Sequence, residues 1–341
     1  MATPTLTNAD TVISKPETTL TFPNNRLLIE LCGEFDSNLT AVETALDVQI
    51  VRRGNELAVL GSGEESARAA EALQALYTRL EQGRPVDSGD VDAAIRMGRT
   101  EQGTGVRDGD QKEMFPGGNT EIRTRKKTVE PRTPMQKQYV EQLFSRELVF
   151  GLGPAGTGKT YLAVAAGVSM FIEGHVDRIL LSRPAVEAGE RLGFLPGDMK
   201  DKVDPYMQPL YDALNDFLPA KQVAKLIEEK RIEIAPLAFM RGRTLSNAFI
   251  VLDEAQNATT MQMKMFLTRM GQGSHMAITG DGSQIDLPRG VPSGLLEAEK
   301  ILRGVEGVGF TKFNASDVVR HPMVARIIKA YDKHSAKSRN D

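Results

Sequence analysis

The chain has 341 residues, room for two domains or one large one. Hydrophobic residues make up 40% and charged ones 26%, the ordinary balance of a soluble globular protein. A net charge of −3 excludes binding to nucleic acid or a membrane through bulk charge, so any such site must be a local patch. The single cysteine, Cys32, sits in an apolar run; it cannot form an internal disulfide and reads as a buried thiol. His175, His275, His321 and His334 are scattered without metal-ligand spacing. No stretch reaches the ~18 apolar residues of a membrane span. Met1 to Thr5 lack the basic and apolar regions of a secretory signal, so a cytoplasmic setting is the expectation.

Residues 1–21 are rich in Thr, Pro and Asn and read as a disordered tail. Residues 22–99 read as a small α+β domain. Arg26 to Cys32 is an apolar run expected as a strand. A helix follows with Leu39, Val42 and Leu46 on one face, then strands around Val48–Ile50 and Leu57–Leu60 joined at Gly54. A long helix carries Ala70, Leu73, Leu76, Tyr77 and Leu80, and a short one follows Asp87-Ser88. This β-α-β-β-α order resembles KH-type RNA-binding domains. The KH backbone clamp is G-x-x-G, and the corresponding place here holds Gly33-Glu34-Phe35-Asp36, with two acids and no second glycine. RNA binding and simple docking both remain open for this domain.

Residues 100–132 read as a linker with a basic end: Arg123, Arg125, Lys126, Lys127 and Arg132 oppose only Glu130. That strip is either a solvated linker or a contact to a phosphate backbone.

From residue 133 to about 333 an ATP domain is expected. Thr133-Pro134 opens a helix, and a glutamine there can present its amide to adenine. Gln138 is the candidate and Gln136 the alternative. The apolar run Leu148 to Leu152 reads as a strand. Gly153-Pro154-Ala155-Gly156-Thr157-Gly158-Lys159-Thr160 then fits the phosphate-loop pattern G-x-x-x-x-G-K-[ST] at every position. Tyr161 opens the Ala-rich helix behind it. Glycines let backbone N–H groups curl toward an anion, and the helix start adds its positive dipole end. Lys159 would reach the β- and γ-phosphates, and the Thr160 hydroxyl would sit on Mg²⁺.

Further strands are expected at Ile179–Ser182, Arg231–Ala235, Phe249–Leu252, Met276–Thr279 and Val308–Phe313. Turns at Gly189, Gly193 and Pro196 separate the first two, and the basic turn Arg241-Gly242-Arg243 precedes the third. The third ends in Asp253-Glu254. Asp253 would hold the water shell of Mg²⁺, and Glu254 would activate the attacking water. A second acid argues for hydrolysis over transfer to a metabolite. The fourth ends in Gly280-Asp281-Gly282-Ser283-Gln284, where Gln284 or Asp281 would sense the γ-phosphate. Arg320, ahead of a last helix, is either an arginine finger or a helix-entry salt bridge. Residues 334–341 read as a polar tail.

Three stretches together resemble the PhoH family of ATPases: GPAGTGKT at 153–160, RGRTLSNAFIVLDEAQN at 241–257 and ITGDGSQIDLPRG at 278–290, with DVVRHP at 317–322 in agreement. The resemblance implies an α/β fold: a P-loop NTPase with a RecA-like parallel sheet and helices on both faces, preceded by the KH-like domain. It implies a core similar to one lobe of superfamily 1 helicases, with matching roles on Gln138, Lys159, Thr160, Asp253, Glu254 and Gln284. It further implies ATP and Mg²⁺ as ligands, RNA-related work, and sometimes an endoribonuclease partner. The ~200 residues from Thr133 onward suffice for one lobe only. A homo-oligomer, a hexameric ring, would complete the site, with Arg320, Arg241 or Arg243 acting on a neighbour's ATP. The alternative is a nucleotide-dependent switch that recruits a partner without moving on RNA.

Overall fold

The computed structural model describes residues 17–97, 120–184 and 199–319. The tail before residue 17, most of the expected linker, the turns at Gly189 to Pro196, Arg320, the last helix and the C-terminal tail lie outside the described residues. The chain divides into two units, residues 1–108 and 109–341.

In the first unit, Glu17–Thr21 is strand β1, part of what the sequence suggests is a tail. Its β-branched threonines suit a strand, and it pairs antiparallel with β3, Glu56–Leu60. The second correction concerns the apolar run expected as a strand: Asn25–Cys32 is helix α1. Asn24 caps it, its side chain accepting from the N–H groups of Arg26 at 3.0 Å and Leu27 at 3.4 Å. Leu28, Leu31 and Cys32 share its buried face, and Gly33 ends it at φ 75°. Helix α2 is Ser37–Leu46, and β2, Gln49–Arg53, completes a three-stranded sheet in the order β1-β3-β2. Helices α3, Gly63–Glu81, and α4, Ser88–Met97, follow. Phe22, Leu28, Leu31, Leu57, Leu73 and Tyr77 fill the core, with Phe22 and Tyr77 ring centroids 4.6 Å apart. Cys32 is free and buried there, and burial pushes its thiol pKa up. Between α1 and α2, Phe35 and Asp36 both take left-handed φ, 53° and 55°, and Phe35 is fully exposed.

The second unit opens earlier than expected. Strands β4, Ile122–Arg123, and β5, Thr128–Val129, form a small hairpin in the stretch read as linker. Buried Ile122 and Val129 anchor it to the ATP-domain core. Then come α5, Pro134–Ser145; β6, Leu148–Leu152; α6, Lys159–Ile172; and β7, Arg178–Arg183. Helices α7, Met199–Phe217, and α8, Ala220–Glu228, precede β8, Ile232–Pro236. Strand β9, Ala248–Leu252; α9, Thr260–Leu267; β10, His275–Gly280; α10, Gly294–Ile301; and β11, Val308–Lys312, complete it.

The six strands β6 to β11 form one parallel sheet in the order β11-β6-β10-β9-β7-β8. Alternate strand residues feed opposite layers. Val149, Phe249, Val251 and Ala277 pack with α5 to α8; Phe150, Ile250, Leu252 and Ile278 pack with α9 and α10. Both layers need apolar strand residues, which is why these runs read as apolar throughout. The carboxyl ends of β6, β10 and β9 lie side by side, so the three loops that follow them converge where an open α/β sheet binds its ligand. Among the described residues no helix is long and apolar enough to cross a membrane.

Candidate active site

The phosphate loop leaves β6 through Gly153 at φ 141°, and Gly156 and Gly158 take φ 83° and 81°. Gly153 is required twice over: a Cβ there would lie 2.4 Å from the Phe313 carbonyl oxygen. The loop is pinned on both sides. Gly153 N–H donates to the Gly280 carbonyl at 3.1 Å, and Val319 N–H donates to the Gly156 carbonyl at 2.9 Å. Gly158 begins α6 without a side-chain cap, leaving the first-turn amides turned to the loop. The Lys159 ammonium is buried and donates to the carbonyls of Gly153 and Pro154, both at 2.7 Å. A phosphate in this cradle would take those bonds over.

The two nucleotide motifs meet at Asp253, which is 2% exposed. Its Oδ1 accepts from the Thr160 hydroxyl at 2.5 Å and the Thr279 hydroxyl at 2.7 Å. Its Oδ2 accepts from Arg183 Nε at 2.7 Å and Nη2 at 2.5 Å. A hydroxyl and a carboxylate are hard oxygen donors, and Mg²⁺ is commonly held by one or two carboxylates together with substrate phosphates. Thr160 and Asp253 therefore fit that ion. No cluster of three or more His, Cys, Asp or Glu that would suit a different metal occurs among the described residues.

Glu254 follows in the left-handed region, φ 53°. For a non-glycine residue that conformation costs about 1–2 kcal/mol. Its Oε2 accepts from Gln256 Nε2 at 2.6 Å. Gln256 is 1% exposed, and its Oε1 accepts from the Asp281 N–H at 3.0 Å. Asp281 in turn accepts from Ser283 N–H and hydroxyl through Oδ1 and from Gln284 Nε2 through Oδ2. Burial pushes the Asp281 carboxyl up, but the Ser283 hydrogen bonds and the Lys159 charge outweigh it and leave the carboxyl below its ordinary range. The expected base and the expected γ-phosphate sensors thus belong to one hydrogen-bonded chain.

The other expected residues fall elsewhere. Gln136, rather than Gln138, touches the phosphate loop: its Nε2 donates to the Thr157 carbonyl at 2.9 Å, and Gln138 is exposed on α5. The Tyr161 hydroxyl donates to Asp216 at 3.1 Å, and its ring packs on Phe217. Lys127 pairs with Asp216 at 2.7 Å, and Lys126 Nζ donates to the Asn215 carbonyl at 2.6 Å, so two of the five bases in the strip hold α7. Arg123 and Arg125 are exposed. Arg243 grips Glu233 on β8 with two hydrogen bonds, at 2.6 and 2.7 Å, while Arg241 is exposed. Arg320 lies outside the described residues. Sequence reasoning missed Arg183, Gln256 and Thr279. Each stands at or just past a strand's carboxyl end, the one signal that marks them.

A parallel α/β sheet with a glycine loop and a paired Thr160–Asp253 at its carboxyl edge defines a P-loop nucleotide-binding protein. Residues 128–332 match the family described as "PhoH-like protein". A PhoH-like protein of Bacillus subtilis (strain 168) is 48% identical over 310 residues, 90% of this chain and 94% of its own. Another, from Synechocystis sp., is 43% identical over 323 residues, 94% of this chain and 96% of its own. The chain belongs to the PhoH-like protein family. Among solved structures, the Sulfolobus solfataricus SWI2/SNF2 ATPase core in complex with dsDNA is similar at 15% identity, covering 57% of this chain and 46% of that one, with a TM-score of 0.34.

Proposed function

We propose that this chain hydrolyses ATP to ADP and phosphate and couples the reaction to RNA. One observation carries the hydrolysis: the Thr160 hydroxyl sits 2.5 Å from Asp253 Oδ1, across 93 residues, with Glu254 next along the chain. Loop amides and Lys159 bind the phosphates. Thr160 and Asp253 would hold magnesium, which when bound would offset the charge of the phosphates. Glu254, 46% exposed in its side chain and steadied by Gln256, takes the proton of the attacking water. Asp281 and Gln284, linked to Glu254 through Gln256, would respond to loss of the γ-phosphate.

The RNA side of the reading is supported by the small unit. Its Gly33–Asp36 loop joins two helices, and Asp36 takes the left-handed conformation that a glycine adopts freely. Arg123, Arg125 and Arg241 are exposed cations that would face a phosphate backbone. A second copy, in a hexameric ring in the cytoplasm, would bring Arg241 or Arg320 to the site. An endoribonuclease is the partner class for the alternative, a switch that recruits without moving.

The test is phosphate release by the purified chain with single-stranded RNA, duplex RNA, DNA or no addition. Lys159→Ala should abolish tight ATP binding, and Glu254→Gln should keep binding and lose turnover. Stimulation by RNA supports coupling; turnover indifferent to every nucleic acid favours the switch. Normal hydrolysis by Glu254→Gln would overturn the assignment of the base.

A further inference from the structure

We propose that Arg183 is an exchanging cation of the active site: it holds Asp253 when the triphosphate is absent and turns to the γ-phosphate when Mg·ATP enters. This rests on the ATPase reading above and deepens it. Arg183 ends β7, beside β9, and the Asp253 N–H donates to the Ser182 carbonyl at 2.9 Å. That bond continues the ladder past the end of β9 and sets the Arg183 side chain next to the carboxylate.

The grip has an unusual form. Arginine commonly meets both carboxylate oxygens with two parallel N–H groups. Here both N–H groups crowd onto Oδ2, because Oδ1 already serves the Thr160 and Thr279 hydroxyls. Nη2 also stands 3.8 Å from Glu254 Oε1, and Nη1 donates to the Tyr206 carbonyl of α7 at 2.9 Å. The Arg183 side chain is 17% exposed and Asp253 3%, so little water screens the arrangement.

A divalent cation beside Thr160 and Asp253 would repel a guanidinium bound to the same carboxylate. The Oδ2 bonds weaken as that charge arrives. The triphosphate arrives with it and offers the strongest anionic acceptors near the guanidinium. Arg183 therefore supplies, from within the chain, positive charge of the kind that stabilises a transferring phosphoryl group. In moving, it lets go of Tyr206, so occupancy of the nucleotide site is passed to α7.

The experiment is titration of Mg·ATP and Mg·ADP, read by calorimetry, against wild type, Arg183→Ala and Arg183→Lys, with thermal melts of the nucleotide-free proteins. Arg183→Ala should lower ATP affinity relative to ADP by about 10- to 100-fold, the range of one or two charge-assisted hydrogen bonds. Its ADP affinity should stay level or rise, because nothing then competes for Asp253. Arg183→Lys should recover part of the ATP preference. If ATP and ADP affinities fall together, or if the ATP preference survives in Arg183→Ala, Arg183 only braces Asp253 and the proposal is overturned. Should Arg183→Ala melt below the working temperature, Arg183→Lys and Arg183→Gln decide it: the neutral side chain must lose the preference that the charged one keeps. A wild-type chain that binds neither nucleotide would instead overturn the ATPase reading, a separate outcome.

Discussion

Gln256 joins Glu254 to Asp281: its amide nitrogen donates to the Glu254 carboxylate at 2.6 Å while its oxygen accepts the Asp281 N–H at 3.0 Å. Both ends of a buried side chain are used, and its two partners follow different strands, β9 and β10.

Gln256→Ala should therefore cut turnover by about 10- to 100-fold, within the contribution of a positioned general base. Nucleotide affinity should change by about threefold or less, because the phosphate cradle is untouched. The stranded Asp281 N–H should cost about 1–3 kcal/mol of stability. Single-turnover rates beside nucleotide titrations check this; equal losses in both would show that Gln256 supports the loop and not the base.

Gln136 and Gln138 separate cleanly. Gln136 joins the Arg132 N–H, at 2.7 Å, to the Thr157 carbonyl, at 2.9 Å, and is 4% exposed. Gln136→Ala should weaken ATP and GTP alike by about tenfold, the effect of losing roughly one buried hydrogen bond. Gln138→Ala, at an exposed site, should leave both within about twofold. A change in the ATP-to-GTP ratio confined to Gln138→Ala would restore it as the reader of the base.

Tyr139 is fully buried, its ring 5.4 Å from Phe313, and its hydroxyl has no hydrogen-bond partner among the described residues. Burial pushes the phenol's pKa up. Tyr139→Phe removes the stranded hydroxyl and keeps the ring, so the variant should be neutral or up to about 2 kcal/mol more stable. Urea unfolding reads this directly, and a loss above about 1 kcal/mol would reveal a partner for that hydroxyl.

The Glu233 carboxyl is held below its ordinary range, first by the hydrogen bonds from Arg243, against the effect of burial, and then by that guanidinium's charge. A lowered carboxyl contributes stability above its unfolded pKa of about 4.3 and loses it as pH falls through the lower folded value. The pair is about one-third exposed, with side chains at 31% and 36%, so Arg243→Ala should cost only about 0.5–1 kcal/mol at pH 7. That gap to wild type should shrink below about pH 4.3. Melts at pH 7 and in acid measure it; a gap independent of pH would mean that Arg243 acts by packing alone.

The phosphate loop and the Asp253-Glu254 pair are legible along the chain because their chemistry is written in consecutive residues. The six sheet strands are legible too, since a strand buried on both faces is a short apolar run. The Asn25–Cys32 helix is not, because such a run fits either element; the cap at Asn24 was the cue that decides it. Arg183 escapes for a different reason. Its partner lies 70 residues away, and only the order β9-β7 makes them neighbours. The basic strip misleads in the same way: Lys127 looks free until α7 brings Asp216 to it.

The bond from Val319 to Gly156 has a mechanical meaning. The chain leaves the edge strand β11, passes Gly153 at Phe313 and meets the phosphate loop again at Gly156, so a tug on the residues that follow would be delivered to the loop. In the ATPase proposed above, tension at that end would work against the grip on a triphosphate.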